Sequence, residues 1–289
     1  METKELIRKV RKIEIKTKGI SNQVFAGSYQ SAFKGKGMAF TEVREYQFGD
    51  DIRSIDWNVT ARFNHPYVKI FEEERELTVM LLIDVSGSNE FGSQSQLKEE
   101  MITEIAAVLA FSAINNNDKV GVVFFSSTIE KFIPPKKGTS HILRIIRELI
   151  DFKPREKGTN IGEALKYMRN VIKKRSVAFL ISDFQDKGFE DALSIVARKH
   201  DLVGIRVYDE LEKDIPPSGI MKIKDAETGQ VHWVDTSSED FRSQLIKWQN
   251  DHETHLTNIF RKASVDFTSI ATHQDYVPPL IGLFKRRIH

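Results

Sequence analysis

The chain has 289 residues, 40% hydrophobic and 29% charged, with 19 Phe and 8 Pro. At about 150 residues per domain that is room for two domains or one large one with attachments, and the composition excludes a disordered or collagen-like chain. Lys and Arg number 43 against 41 Asp and Glu, so a net charge of +2 gives no bulk attraction to nucleic acid or anionic membrane, and 0 Cys excludes disulfides, zinc-thiolate sites and a Cys nucleophile.

Leu6, Ile7, Val10 and Ile13 recur at helical spacing among Lys and Arg, so residues 3–14 read as an amphipathic basic helix docked on a core. Charges throughout this segment are unlike a secretory signal. The longest apolar stretches, Val79 to Ile83 and Ile105 to Phe111, are far shorter than the about 18 residues that span a bilayer, so the expected location is the cytoplasm. Gly19 to Gly37, with Gly27 and Gly35, reads as loop with short extended pieces. Bases outnumber acids across residues 1–40, a solvated basic face.

Leu77 to Asp84 is continuous, apolar and short, the pattern of a strand buried on both faces. Helix Gln96 to Asn116 and strand Lys119 to Phe125 follow, then a short strand from Ile129 to Ile133 that stops at Pro134-Pro135. Helices Thr139 to Ile150 and Ile161 to Lys173 precede the apolar strand Val177 to Asp183, helix Phe189 to Lys199 and strand Asp201 to Tyr208. Strands alternating with helices predict an α/β fold, a three-layer, doubly wound, mostly parallel sheet. After the turn cluster Pro216-Pro217-Ser218-Gly219, Met221 to Lys224 and Val231 to Val234 flank Glu227-Thr-Gly-Gln as a β-hairpin insertion. Helix Glu239 to Lys262, strand Val265 to Ala271 and a closing segment with Pro278-Pro279 and an apolar-basic tail complete the sheet. The expected domains are an N-terminal extension at 1–75, a core at 76–209, the hairpin insertion at 210–238 and a helix and strand at 239–289 that finish the core.

The first apolar strand runs directly into Asp84-Val-Ser86-Gly-Ser88. In an open α/β sheet, ligands sit beyond the carboxyl ends of the strands. One carboxylate and two hydroxyls alternating in an extended loop are hard oxygen donors, suited to Mg²⁺ or Mn²⁺ and poor for zinc. The plain alternative is an Asp turn and a Ser helix cap. Two further strand-end loops add candidates: Thr159 in Lys157-Gly-Thr-Asn160, and Asp183 at the end of Ile-Ser-Asp. Either Thr159 or Asn160 caps the next helix on the plain reading, and Asp183 closes a turn.

Asp84-x-Ser86-x-Ser88, Thr159 and Asp183 together resemble the three loops of the metal-ion-dependent adhesion site of von Willebrand factor A domains, over Leu77 to Tyr208 and the last helix and strand. Upstream, Arg44-Glu-Tyr-Gln-Phe-Gly49-Asp50-Asp51-Ile-Arg53-Ser-Ile-Asp56-Trp57-Asn-Val-Thr-Ala61-Arg62 resembles the signature of the bacterial domain-of-unknown-function family number 58, whose members place it before such an A domain. The resemblance implies a Rossmann-like A domain with Mg²⁺ (or Mn²⁺) held by Asp84, Ser86, Ser88, Thr159 and Asp183, some through water. It implies a non-enzymatic protein-interaction module paired with a MoxR-type AAA+ ATPase in assembly or chaperone-like work. Asn89 stands where many relatives have Met, outside the ligand set. Two carboxylates do not fill an octahedral shell, so water or a partner's Asp or Glu carboxylate completes it.

Within Gly49 to Arg62, the charged residues Asp50, Asp51, Arg53, Asp56 and Arg62 are expected to form an ion-pair network, with Asp56 capping a helix that buries Trp57; the alternative is a partner-docking surface. Glu72 to Glu76 reads as a solvated acidic edge. A haloacid-dehalogenase-type phosphatase needs a second Asp where Ser86 stands, and neither a P-loop nor a G-x-S-x-G elbow is present. His252 and His255, one helical turn apart, read as surface residues. A nucleic-acid role would rest on the basic N-terminal region and the Phe284-Lys-Arg-Arg287 tail, which lack an aromatic platform.

Overall fold

The computed structural model describes residues 3–21, 32, 37–74, 77–90, 97–213, 215–227 and 229–287, with the backbone alone for 3–7, 9, 37–41, 70–74 and 90. It divides into two compact units, one of residues 1–32 with 77–289, the other Phe33–Glu76. The first 32 residues thus group with the larger unit and not with the rest of the 1–75 segment. Helix α1 (Thr3–Ile20) belongs there, with Val10 and Thr17 buried; it extends through Gly19, and most of the loop expected up to Gly37 lies outside the described residues.

In the smaller unit, β1 (Gly37–Glu45) and β2 (Tyr67–Glu74) pair antiparallel, joined through the short helix α2 (Trp57–Phe63). The Asp56 carboxylate caps α2 as expected, accepting from the N–H groups of Asn58 and Val59 at 3.0 and 3.2 Å. Trp57 is not buried: it is 67% exposed, on a seven-residue helix none of whose residues is buried. Asp50 takes a two-pronged bond from Arg44, at 2.7 and 2.8 Å, and Asp56 faces Lys69 at 3.5 Å, so Arg44 and Lys69 supply partners that were expected from Arg53 and Arg62. The Glu72 to Glu76 side chains lie outside the described residues.

The larger unit continues with β3 (Thr78–Asp84), α3 (Lys98–Asn115), β4 (Lys119–Phe125), β5 (Ile129–Lys136), α4 (Thr139–Ile150) and α5 (Ile161–Val171). It ends with β6 (Val177–Ser182), α6 (Glu190–Ala197), β7 (Asp201–Tyr208), α7 (Glu210–Lys213), β8 (Ile220–Lys224), β9 (Val231–Asp235), α8 (Glu239–Lys262), β10 (Asp266–Ala271) and α9 (Val277–Arg286). Six strands form one sheet in the order β10-β7-β6-β3-β4-β5, parallel throughout except β5, while β8 and β9 form a separate hairpin. Val79 to Asp84 and every residue of β6 are buried, which is why both read as unbroken apolar runs.

Helix α3 is buried over two full turns, Ile105 to Phe111, because the sheet lies on one side and α1 and α4 lie on the other. Lys16 of α1 reaches Glu104 of α3 at 2.5 Å. Two boundaries depart from expectation. β5 does not stop at Ile133 but runs through Pro134 and Pro135, which an edge strand tolerates where its register with β4 shifts. The closing segment is a helix, since prolines in a first turn occupy positions whose N–H has no intrahelical acceptor. Its tail is tied into the fold: Arg287 pairs with Asp201 and, at 3.4 Å, with Asp266. No helix among the described residues is long and apolar enough to cross a membrane.

Candidate functional site

From β3 the chain leaves toward β4 on one side, and from β6 toward β7 on the other, so the adjacent carboxyl ends of β3 and β6 form the crevice where doubly wound sheets bind ligands. Asp84 ends one strand, and Ser182-Asp183 ends the other. Asp84 Oδ1 accepts the N–H of Ser86 at 2.9 Å, and Oδ2 accepts the Ser182 hydroxyl at 2.6 Å. The Ser86 and Ser88 hydroxyls lie 3.1 Å apart, and a hydrogen bond from Ser88 helps hold Asp183 ionised. The structure therefore brings Asp84, Ser86, Ser88 and Asp183 into one continuous polar cluster. Phe184, directly after Asp183, sits at φ 59°, the left-handed region that a bulky side chain seldom adopts. Edge-to-face packing on Phe260 and Phe267 and an N–H bond to Ser182 at 2.9 Å hold it there, which fixes the direction of Asp183.

Lys98, in the first turn of α3, is fully buried, and its ammonium reaches Asp183 Oδ2 at 2.9 Å and Glu212 Oε1 at 2.6 Å. Burial by itself would raise Asp183, but Lys98 outweighs it and holds that carboxyl below its ordinary range. Asp84 has no such cation: burial first, and then the charge of Asp183, push it up to about 7. Behind the pair, Arg206 donates to the Asp183 carbonyl at 3.3 Å and pairs with Glu253, and Gln249 bonds the Glu212 carbonyl at 2.9 Å. This buried framework fixes the site from below.

Thr159 is placed differently from the other four. Asn160, not Thr159, caps α5, accepting from Glu163 N–H at 2.9 Å, which leaves the Thr159 hydroxyl free to donate to Glu227 Oε1 at 2.8 Å. Glu227 lies in the β8–β9 turn. The Thr159 loop stays beside the first loop through Gly87 N–H to the Lys157 carbonyl at 2.9 Å, and beside the Asp183 loop through Ile161 N–H to Asp186 at 2.8 Å.

The donors are oxygen throughout: Asp183 and Glu212 share the buried Lys98 ammonium, while Asp84 and Glu227 take hydroxyl hydrogen bonds from Ser182 and Thr159, a set of hard donors that suits a hard cation. Asn89 donates to the Asp84 carbonyl at 3.1 Å while its own side-chain oxygen is buried with no partner, in the wall of a cavity of about 50 Å³ shared with Asp84 and Ser86. That cavity is otherwise lined by Glu99, Ile102, Leu149, Phe152 and Pro154 and not by Ser88, Thr159 or Asp183, so it lies to one side of the cluster, and the fit to the implied metal is carried by the donor set itself, hard carboxylate and hydroxyl oxygens. Among the described residues no three His, Cys, Asp or Glu side chains form a ready cage, so any cation would rely on hydroxyls and water as well. His252 and His255 lie apart from this cluster in their contacts: His252 stacks on Trp248 and His255 faces Glu190 at 4.0 Å.

Lys98, Ser182, Glu212 and Glu227 are site residues that the sequence motifs did not reveal. For Ser182 the signal was present, since it stands one residue before Asp183 on the strand next to β3. For Lys98 the only sign was a cation in a helix's first turn, the end the dipole disfavours.

A model of the family described as "Protein of unknown function DUF58" matches residues 42–255. The Mycobacterium tuberculosis protein Rv1480 is 25% identical over 286 residues, covering 98% of this chain and 90% of that one. The Bacillus subtilis protein YeaD is 29% identical over 107 residues, 37% of this chain and 25% of that one. In fold, the chain is similar to the crystal structure of the conserved hypothetical protein BatB from Bacteroides thetaiotaomicron, with a TM-score of 0.50 and 17% identity over 73% of this chain and 98% of that one.

Proposed function

Because the chain belongs to the DUF58 family, whose model spans both the Arg44 to Arg62 signature and the strand-end loops, we propose that it is a von Willebrand factor A-like, non-enzymatic module that binds protein partners through a divalent cation. The observation that carries this reading is the clustering of Asp84, Ser86, Ser88 and Asp183 at the switch point of the sheet. Asp84, Ser86, Ser88, Thr159 and Asp183 would hold Mg²⁺ or Mn²⁺, which when bound supplies a hard positive centre for a carboxylate. The protein's own groups prepare the place: Ser182 orients Asp84, Lys98 keeps Asp183 ionised, and Phe184 fixes its direction. The partner class taken from the resemblance is a MoxR-type AAA+ ATPase in the cytoplasm, bound through an Asp or Glu.

Calorimetric titration of Mg²⁺ and Mn²⁺ into the wild-type protein and Asp84→Ala tests the reading. Heats confined to the wild type support it, and equal heats sink it. Capture of the ATPase is expected to require Mg²⁺ and to be reversed by EDTA.

A further inference from the structure

The turn of the β8–β9 hairpin is built to present one side chain. The Asp225 carboxylate accepts the N–H of Glu227 at 3.0 Å, the Asp225 carbonyl accepts the N–H of Gly229 at 2.9 Å, and Gly229 takes φ +71°, a left-handed value that glycine adopts at little cost. The turn comes directly against the Asp84 to Ser88 loop. A Cβ on Gly87 would stand 2.7 Å from the Ala226 carbonyl oxygen and 3.4 Å from Lys157 Cβ, so only glycine between Ser86 and Ser88 allows this approach. From this seat Glu227 reaches Thr159, one of the five residues proposed to hold the cation.

Half-buried in the turn, the Glu227 carboxylate takes a hydrogen bond from the Thr159 hydroxyl, on a loop that Gly87 and Lys157 tie to the Asp84 to Ser88 loop. A divalent cation held by these loops would offer that carboxylate an opposite charge. We propose that Glu227 is the carboxylate this chain itself supplies to the cation site, so that the hairpin turn caps the loaded site and a partner's carboxylate enters by displacing it. The proposal rests on the cation-binding reading above. Asp84, Asp183 and Glu227 do not converge into one cage in the structure, so the Glu227 side chain must turn from Thr159 toward the cation, a rotamer change at a half-buried turn residue.

Mn²⁺ titration of the full chain, with water-proton relaxation to count the waters left on the ion, gives the test on wild type, Asp84→Ala, Glu227→Gln and Gly87→Ala. Glu227→Gln is expected to weaken Mn²⁺ about tenfold and to add a metal-bound water. Gly87→Ala should weaken it similarly with the carboxylate intact, because the turn is pushed off its seat. Hydrogen exchange of the hairpin amides should slow on adding Mg²⁺ in the wild type and not in Glu227→Gln. Unfolding in EDTA should be alike for wild type and Glu227→Gln, which separates a lost ligand from a lost fold. If Asp84→Ala abolishes binding while Glu227→Gln keeps wild-type affinity and water count, the role of Glu227 is overturned and the cation site stands. If the wild type binds no Mn²⁺, or Asp84→Ala binds equally, both readings fall.

Discussion

The Ser182 hydroxyl donates to Asp84 Oδ2 at 2.6 Å and accepts the N–H of Phe184 at 2.9 Å, so one small side chain ties the end of β3 to the bend that aims Asp183. Both carboxylates of the candidate site depend on this joint.

Ser182→Ala therefore acts at two places. Losing a hydrogen bond to a buried carboxylate is expected to cost about 2 kcal/mol in urea unfolding, and the loosened Asp84 should weaken Mn²⁺ about tenfold by calorimetry. Wild-type values in both measurements would remove Ser182 from the site.

Lys98→Met leaves the buried Asp183 and the half-buried Glu212 without their ammonium. The expected loss is about 3–5 kcal/mol in urea unfolding, and Lys98→Met with Asp183→Asn should recover part of it by removing the stranded charge. A loss no greater than that of an ordinary surface substitution would show that the triad contributes nothing to stability.

His200 lies before β7, with Nδ1 2.9 Å from the Ser176 hydroxyl and Nε2 buried without a partner. Burial, then the charges of Lys199 and Arg175, lower it from an ordinary 6.5 to about 4. Between those values the unfolded chain holds a proton that the folded one refuses. Stability from this group is complete above pH 6.5 and is lost as pH falls toward 4. His200→Gln should flatten that limb of the stability curve by about 2 kcal/mol. An unchanged slope in urea titrations across this range would exclude His200 as its source.

All three tryptophans, Trp57, Trp233 and Trp248, are more than half exposed. Intrinsic emission should lie at the red, water-exposed end and be quenched by iodide in the folded protein, with little further shift in urea. Blue-shifted, protected emission would contradict the placement of Trp57. Asp56→Ala, which removes the cap of α2, should cost about 1 kcal/mol locally, read by amide exchange of Asn58 and Val59, and leave Mn²⁺ affinity unchanged.

The frame of the larger unit was legible because β3 and β6 are buried on both faces and must be apolar along their whole length. The same runs stop at Asp84 and at Asp183, which places two candidate carboxylates at adjacent strand ends and Ser86 and Ser88 just beyond the first. The apolar ring of Trp57 reads as a core residue, but α2 is a seven-residue helix that buries none of its side chains. Lys98 and Glu227 were illegible for another reason. A lysine in a first turn and a glutamate in a hairpin turn are ordinary solvent-facing residues until β7, α7 and the hairpin fold around them, and their partners lie 85 and 68 residues away.

Pro134 and Pro135 have a consequence for how partners can attach. At Pro134 and Pro135 the register with β4 shifts, and neither proline has an N–H, so the edge there is both bulged and short of donors. An incoming strand cannot zip past that gap, which protects this margin of the sheet against self-association by strand addition. Recognition at this end of the molecule is left to the loops above the sheet, where one exchangeable carboxylate contact is easier to make and to break than a ladder of backbone bonds.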